Sequence, residues 1–219
     1  MGRLNYGYDS RYLLTFTVRR DGASVFGKDN KYGTFPSGAV AWNIHNESFM
    51  QAHKDLVSNL KLRLSYGVSG NEAIGIYQTL ALMSSGSLAM GGKSLTSLKV
   101  QTRMGNDGLK WERTSGLNVG LDFGLWKDRI SGSVDFYKTN TFDMLLLQRI
   151  PAISGYADVW TNIGKVANTG IEFTINSKNI VRDDFTWNSM LVFATNKNKI
   201  VDVYGDGRDD IGNRWFVGH

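Results

Sequence analysis

Three scarcities bound this sequence before any motif in it is read. It has no cysteine, which removes thiolate metal centres, a cysteine nucleophile and a disulfide framework. It has two prolines against 25 glycines, a balance that suits many strands joined by turns and loops rather than helices. Its apolar runs are short, Met144-Leu145-Leu146-Leu147 among them, and fall far below the roughly 18 residues that a spanning helix needs. If the chain meets a bilayer it must do so as a closed barrel, the other structure that satisfies every backbone group in lipid. The opening Met1-Gly2-Arg3-Leu4-Asn5-Tyr6 also lacks the basic stretch and apolar core of a signal peptide.

What is present points to strands. Hydrophobic residues make up 42% of the 219 positions, too many for a disordered tail, and aromatics reach 12%. The net charge of +5 comes from Lys and Arg residues scattered along the chain and interleaved with Asp and Glu. A nucleic-acid binder would gather that charge in one stripe on a recognisable module, so no nucleic-acid partner is expected.

Period-two alternation is the clearest signal. Tyr12, Leu14, Phe16 and Val18 oppose Thr15, Thr17 and Arg19; Leu60, Leu62, Leu64 and Tyr66 oppose Lys61, Arg63 and Ser65. The longest run is Trp111–Leu125. From Leu117 onward its odd positions are purely apolar, while Asn118, Gly120, Asp122 and Gly124 stand on the other side. Further strands are expected from Arg129 to Tyr137, through Ile171, Phe173 and Ile175, and through Phe185, Trp187, Leu191 and Phe193.

These runs are long enough for tilted membrane strands, about ten residues each. A tight turn is expected at Trp126-Lys127-Asp128-Arg129, and long irregular segments between Tyr66 and Leu109 and between Leu147 and Ile163. Short turns at one end and long loops at the other are an outer-membrane pattern. Tyr12, Trp42, Tyr66, Trp111, Trp126 and Trp187 fall near strand ends, as girdle residues do. Composition and period alone leave a membrane barrel and a soluble antiparallel sheet with one wet face both open.

Several stretches go further. Asp21-Gly22-Ala23-Ser24-Val25-Phe26-Gly27, Tyr32-Gly33-Thr34-Phe35-Pro36-Ser37, Ala41-Trp42-Asn43-Ile44 with Glu47-Ser48-Phe49, and Asn59-Leu60-Lys61-Leu62-Arg63-Leu64-Ser65-Tyr66-Gly67 occur in that order. They are followed by Leu109-Lys110-Trp111-Glu112-Arg113-Thr114, Asn118-Val119-Gly120-Leu121-Asp122, Arg129–Tyr137 and Asn162-Ile163-Gly164-Lys165-Val166 with Asn168-Thr169-Gly170-Ile171-Glu172. Together they resemble the SusC/RagA family of TonB-linked outer-membrane proteins, from about Asp21 to Phe193.

The resemblance implies an all-β antiparallel transmembrane barrel, here in part: roughly seven to nine strands of a barrel of about 22. On it, residues 1–219 are a fragment of the barrel domain, with the plug domain and the C-terminal strands absent. It implies the outer membrane of a Gram-negative, Bacteroidetes-type cell. Outer-membrane lipid, a SusD-like surface lipoprotein, TonB acting through the plug, and a glycan or peptide substrate would be the partners. No bond is made or broken, and no cofactor or metal is expected. The alternative is a soluble β-sandwich carbohydrate-binding module, which would need the Leu117–Leu125 and Phe185–Phe193 faces buried against a second sheet.

Candidate site residues fall into two sets. Glu112, Asn118, Asp122, Asp135 and Glu172 are expected to face the lumen, where charge can be paired or hydrated; on the lipid side it would be costly. Gly116, Gly120 and Gly124 recur on that face, where a glycine admits a close neighbour. Tyr77, Tyr156 and Trp160 lie in long loops and offer rings that could stack on a sugar, set against the plainer role of loop or girdle packing. His45, His53 and His219 are not spaced for zinc. The Asp202–Asp210 stretch has a calcium-loop look but Tyr204 and Asn213 where an EF-hand carries acidic ligands, so it reads better as an acidic outer loop.

Overall fold

The structure is a computed structural model that describes the backbone of residues 1–90 and 93–219, and side chains outside 84–102 and 152. Eight strands form one antiparallel sheet. In chain order they are β1 (Gly2–Tyr8), β2 (Tyr12–Gly22), β3 (Tyr32–Asn43), β4 (Val57–Asn71), β7 (Glu112–Leu125), β8 (Ile130–Phe142), β11 (Lys165–Val181) and β12 (Thr186–Asp202). Each pairs with the next, in the order β1-β2-β3-β4-β7-β8-β11-β12. The sheet is open, with β1 and β12 as its two edges.

Four further strands, β5 (Leu82–Met90), β6 (Lys93–Met104), β9 (Leu145–Arg149) and β10 (Asp158–Asn162), make a second sheet in the order β5-β6-β10-β9. This corrects the expectation that the two long connections are irregular. β9 and β10 are only five residues each, and they pair within the loops, so no long alternating run announces them.

All the connections sort to one end or the other. At the turn end lie Asp9–Arg11, 44–56, Trp126–Arg129 and 182–185; at the loop end lie 23–31, 72–111, 143–164 and 203–219. The β1–β2 turn has positive φ at both Asp9 and Ser10, the mirror-image turn whose twist matches a right-handed sheet. Trp126, Lys127 and Asp128 are all left-handed as well, with φ of 52°, 56° and 59°. Asp128 offsets part of the strain by bonding Ser58 Oγ at 2.7 Å. The 44–56 connection is compacted into two 3-10 turns, Ile44–Asn46 and Ser48–His53.

Register then fixes the faces. One row across the sheet reads Tyr8, Tyr12, Trp42, Leu62, Leu121, Val134, Phe173, Phe193; its neighbour reads Tyr6, Leu14, Val40, Leu64, Val119, Phe136, Ile171, Thr195. The band is uncovered: Leu64 and Ile171 are each 47% exposed and Leu191 59%. A β-sandwich module would bury these side chains, so that alternative fails on this face.

The buried core sits elsewhere, at the loop end. Ala23, Phe26, Phe35, Leu109, Trp111 and Leu145 form one cluster, with Val68, Ile74 and Trp160 against it. Phe26 and Phe35 lie 5.4 and 5.5 Å from the Trp111 ring. Trp111 is therefore a core residue rather than a girdle one. Trp111→Ala should remove about 3–5 kcal/mol of packing and release the 72–111 segment to limited proteolysis in the full-length protein. Unchanged cleavage would mean that the cluster does not hold this segment down.

Candidate functional site

The face opposite the apolar band carries the polar residues singled out from the sequence. Asp122, Asp135 and Glu172 lie on it, as does Asn118, which stands between Ser65 and Tyr137. At its centre is a residue that sequence reading passed over as a partner, Arg63. Its guanidinium donates from Nε to Asp122 Oδ2 and from Nη2 to Asp122 Oδ1, both at 2.8 Å, and Nη2 also reaches Asp135 at 3.1 Å. One cation thus ties β4, β7 and β8 together through side chains.

Gly120 makes that crossing feasible. It lies between Arg63 and Asp135 in register. A Cβ there would sit 2.7 Å from Arg63 Cζ and 2.5 Å from Asp135 Oδ1. The close neighbour is therefore a side-chain ion pair from the adjoining strands. Gly116 meets only ordinary contact with Thr139, and Gly124 faces Asp128 and Ser58 at the turn.

Glu172 stands directly opposite Asp135, is exposed and has no ion-pair partner among the described residues. Like charges opposed on neighbouring strands repel, so the free carboxylate of Glu172 needs water or an incoming cation. Glu112 is used structurally: it accepts from Asn71 Nδ2 at 3.1 Å and from the Leu145 amide at 3.3 Å, joining β4, β7 and β9.

A second cluster sits at the turn end. Glu47, nearly buried, accepts from Tyr12 Oη at 2.7 Å and Trp42 Nε1 at 2.9 Å, with Arg11 at 3.4 Å. The Tyr12 and Trp42 rings stack at 6.4 Å. This gives the Ala41-Trp42…Glu47 motif its physical meaning: a carboxylate below the wall pins two aromatics of the apolar face. The bonds from Tyr12 and Trp42 hold the Glu47 carboxyl below its ordinary value. Its contribution to stability is thus complete above the usual carboxylate range and is lost as pH falls through the lowered folded-state value.

At the loop end, Asn162 Nδ2 donates to the carbonyls of Lys110 and Asp143 at 2.7 and 2.9 Å, and its Oδ1 accepts from the Lys110 amide at 2.8 Å. Burial pushes the Asp143 carboxyl up, but Arg113 and Lys110 outweigh it and hold the group below the usual range. Gln78 Oε1 accepts from Trp160 Nε1 at 2.7 Å and from Arg103, which pairs with Asp158 at 2.6 Å. Of the three loop aromatics, Trp160 is thereby tied into the loop sheet, Tyr156 is half-buried, and Tyr77 is 66% exposed with φ of 63°. The Trp160–Gln78 bond brings the Tyr77 and Trp160 segments together.

In the acidic stretch, Asp202 Oδ1 accepts from the Gly205 amide at 2.9 Å, Asp209 from Val217, and Asp210 from Tyr204 and Asn213. These carboxylates organise turns, and no group of acidic or histidine side chains fit to hold a metal occurs among the described residues.

Residues 1–216 match the family model described as TonB dependent receptor-like, beta-barrel. The chain belongs to that family. Within it the chain is of the SusC/RagA type. It is 40% identical over 213 residues to the TonB-dependent receptor SusC of Bacteroides thetaiotaomicron, covering 95% of this chain and 21% of that protein. It is 45% identical over 208 residues to TonB-dependent receptor P3 of Formosa agariphila, covering 95% and 20%. Among solved structures, the RagAB peptide transporter aligns with a TM-score of 0.86 at 30% identity, over 99% of this chain and 24% of that one. The siderophore receptor PirA of Pseudomonas aeruginosa, at 13% identity and a TM-score of 0.53, shares the fold alone. The chain spans about a fifth of the length of the curated relatives it matches.

Two outcomes test this geometry in the full-length receptor. Arg63→Met should cost about 1–2 kcal/mol, between the values for exposed and buried pairs. Gly120→Val should reproduce most of that loss in thermal unfolding, and Arg63→Met combined with Asp122→Asn should be less than additive. Full additivity would show that the bridge does not couple the strands. Second, the protection of the Arg11 and Tyr12 amides against hydrogen exchange, taken relative to the intrinsic rate at each pH, should fall as pH drops below the ordinary carboxylate range, and Glu47→Gln should abolish that dependence. A pH response that survives the substitution would assign it to another group.

Proposed function

We propose that residues 1–219 are part of the wall of an outer-membrane, TonB-dependent importer that takes up oligosaccharides or peptides with a SusD-like surface lipoprotein. The observation that carries this reading is the uncovered apolar band, continuous across eight strands, backed by the Arg63-centred polar face. In a barrel of this family the band meets lipid. Glu112, Asn118, Asp122, Asp135 and Glu172 then line the inside, and the remaining strands and the plug that TonB engages belong to parts of the protein outside these residues. The relatives' names support the choice of cargo: a peptide transporter is among the solved structures, and SusC is among the receptors. Import of this kind makes and breaks no bond and asks for no cofactor. Of the loop aromatics, Tyr77 has the ring most open to a passing substrate.

Uptake of labelled oligosaccharides and oligopeptides by cells carrying or lacking the full-length receptor tests the function. Receptor-dependent uptake of one class, abolished by a protonophore, is expected; no energised uptake of either class would sink the proposal. The wall assignment has its own test. Leu121→Arg, in the middle of the band, should cost about 2–4 kcal/mol on insertion into lipid vesicles. Asn118→Arg, on the opposite face, should insert nearly as well as the parent. Equal penalties would show that the faces are misassigned.

A further inference from the structure

The apolar face is not uniform along the strands. Its rows from the turn end through the line Tyr6–Leu14–Val40–Leu64–Val119–Phe136–Ile171–Thr195 contain no Lys, Arg, Asp or Glu. The next row toward the loops contains Lys138 on β8 and Lys197 on β12, separated only by Thr169. The row beyond holds Asn140, Ala167 and Lys199. Lys138, Asn140, Lys197 and Lys199 are all exposed. None of the three lysines has an ion-pair partner among the described residues, and no acidic side chain shares their two rows. Arg20, on the same face at the loop end of β2, lies over the Tyr32 ring at 4.9 Å. The mid-strand carboxylates Asp122, Asp135 and Glu172 all stand on the opposite face.

Three ammonium groups with no ion-pair partner among the described residues thus stand where a charge-free band ends. We propose that Lys138, Lys197 and Lys199 form a docking patch for phosphate-bearing glycolipid headgroups of the leaflet that the loop end faces. The phosphates pair with the ammonium groups while the acyl chains run down the band beside Phe136, Ile171 and Phe193. Lysine suits this role because its long stem packs along apolar surface while the charge reaches the headgroup layer. The asymmetry does not follow from the needs of a barrel alone. The rows nearest the turn end are bounded by Tyr8, Tyr12, Trp42 and Trp187, and the cation beside them, Arg11, is paired with Asp9 and Glu47, so the two membrane boundaries are built for different headgroups. The proposal rests on the reading that the band faces lipid.

The test uses the full-length receptor in nanodiscs, with phosphorylated lipid A and its phosphate-free counterpart as probes, and retained lipid counted by native mass spectrometry. The expected result is preferential retention of phosphorylated lipid A. Each lysine-to-glutamine change should weaken it about fivefold, and K138Q/K197Q/K199Q together on the order of a hundredfold. Equal retention by the triple variant, or equal retention of the phosphate-free probe, would overturn the patch. So would a triple variant that changes oligomeric state at constant lipid A binding, which would assign the lysines to a protein contact. A tryptophan placed at Val119 separates this failure from that of the wall reading. Quenching by brominated acyl chains with no lipid A preference sinks the patch alone, and no quenching sinks both.

Discussion

Backbone hydrogen bonding in a medium without water is the constraint on which everything else in this structure depends. A strand in hydrocarbon has to hand each N–H and C=O to a neighbouring strand. Once it does, the pleat sends successive side chains to opposite faces. Register then becomes the carrier of meaning. A slip of one residue between β4 and β7 would turn Leu62 and Leu64 to the polar side and lift Arg63 onto the apolar one. The ion pairs from Arg63 to Asp122 and Asp135 form only in the observed pairing, so they act as a register lock as much as a source of stability.

The same constraint explains where the buried core lies. Away from the loop end, the wall strands bury neither face against protein within this chain, and much of their apolar band stays exposed. Protein-on-protein packing gathers where the loops fold back on the ends of the wall strands. Phe26, Phe35, Leu109, Trp111 and Leu145 come from the β2–β3 loop, β3, the approach to β7 and the start of β9. Those segments would otherwise be tethered only at their ends. The loop sheet adds its own ties through Gln78, Asn106 and Asn162, which spend side-chain amides on backbone and indole groups across long sequence gaps.

The sequence showed the wall plainly and the loop end poorly, for one physical reason. Alternation is local, so β2, β4, β7, β8, β11 and β12 declared themselves, although β4 runs on to Asn71 and β12 to Asp202, well past the clearest alternation. β5–β6 and β9–β10 are antiparallel pairs inside the two long connections, and what joins them into one sheet is the parallel β6–β10 pairing, 55 residues apart in sequence, which nothing in five residues such as Asp158–Asn162 signals. The polar face was legible residue by residue, yet the pairing was not. Arg63 could be placed on the same side as its own strand's Lys61 and Ser65, but choosing Asp122 and Asp135 as its partners required the register. Glu47 and Trp42 were visible as a motif, and only geometry turned the motif into a carboxylate holding two aromatic donors.

Gly132 lies on the apolar face, where a Cβ would strike the Thr174 carbonyl at 2.1 Å and Phe123 Cζ at 2.9 Å. Gly120, on the polar face, yields its volume to Arg63 and Asp135. In both places a large side chain from the neighbouring strand lies over the glycine, an aromatic on one face and a guanidinium on the other. A sheet exposed on both sides has no second layer to hold its side chains still, so it fixes them laterally, strand over strand. On the apolar face that lateral packing seats Phe123 over Gly132. It also gives the polar face a positioned charge, without a core beneath either.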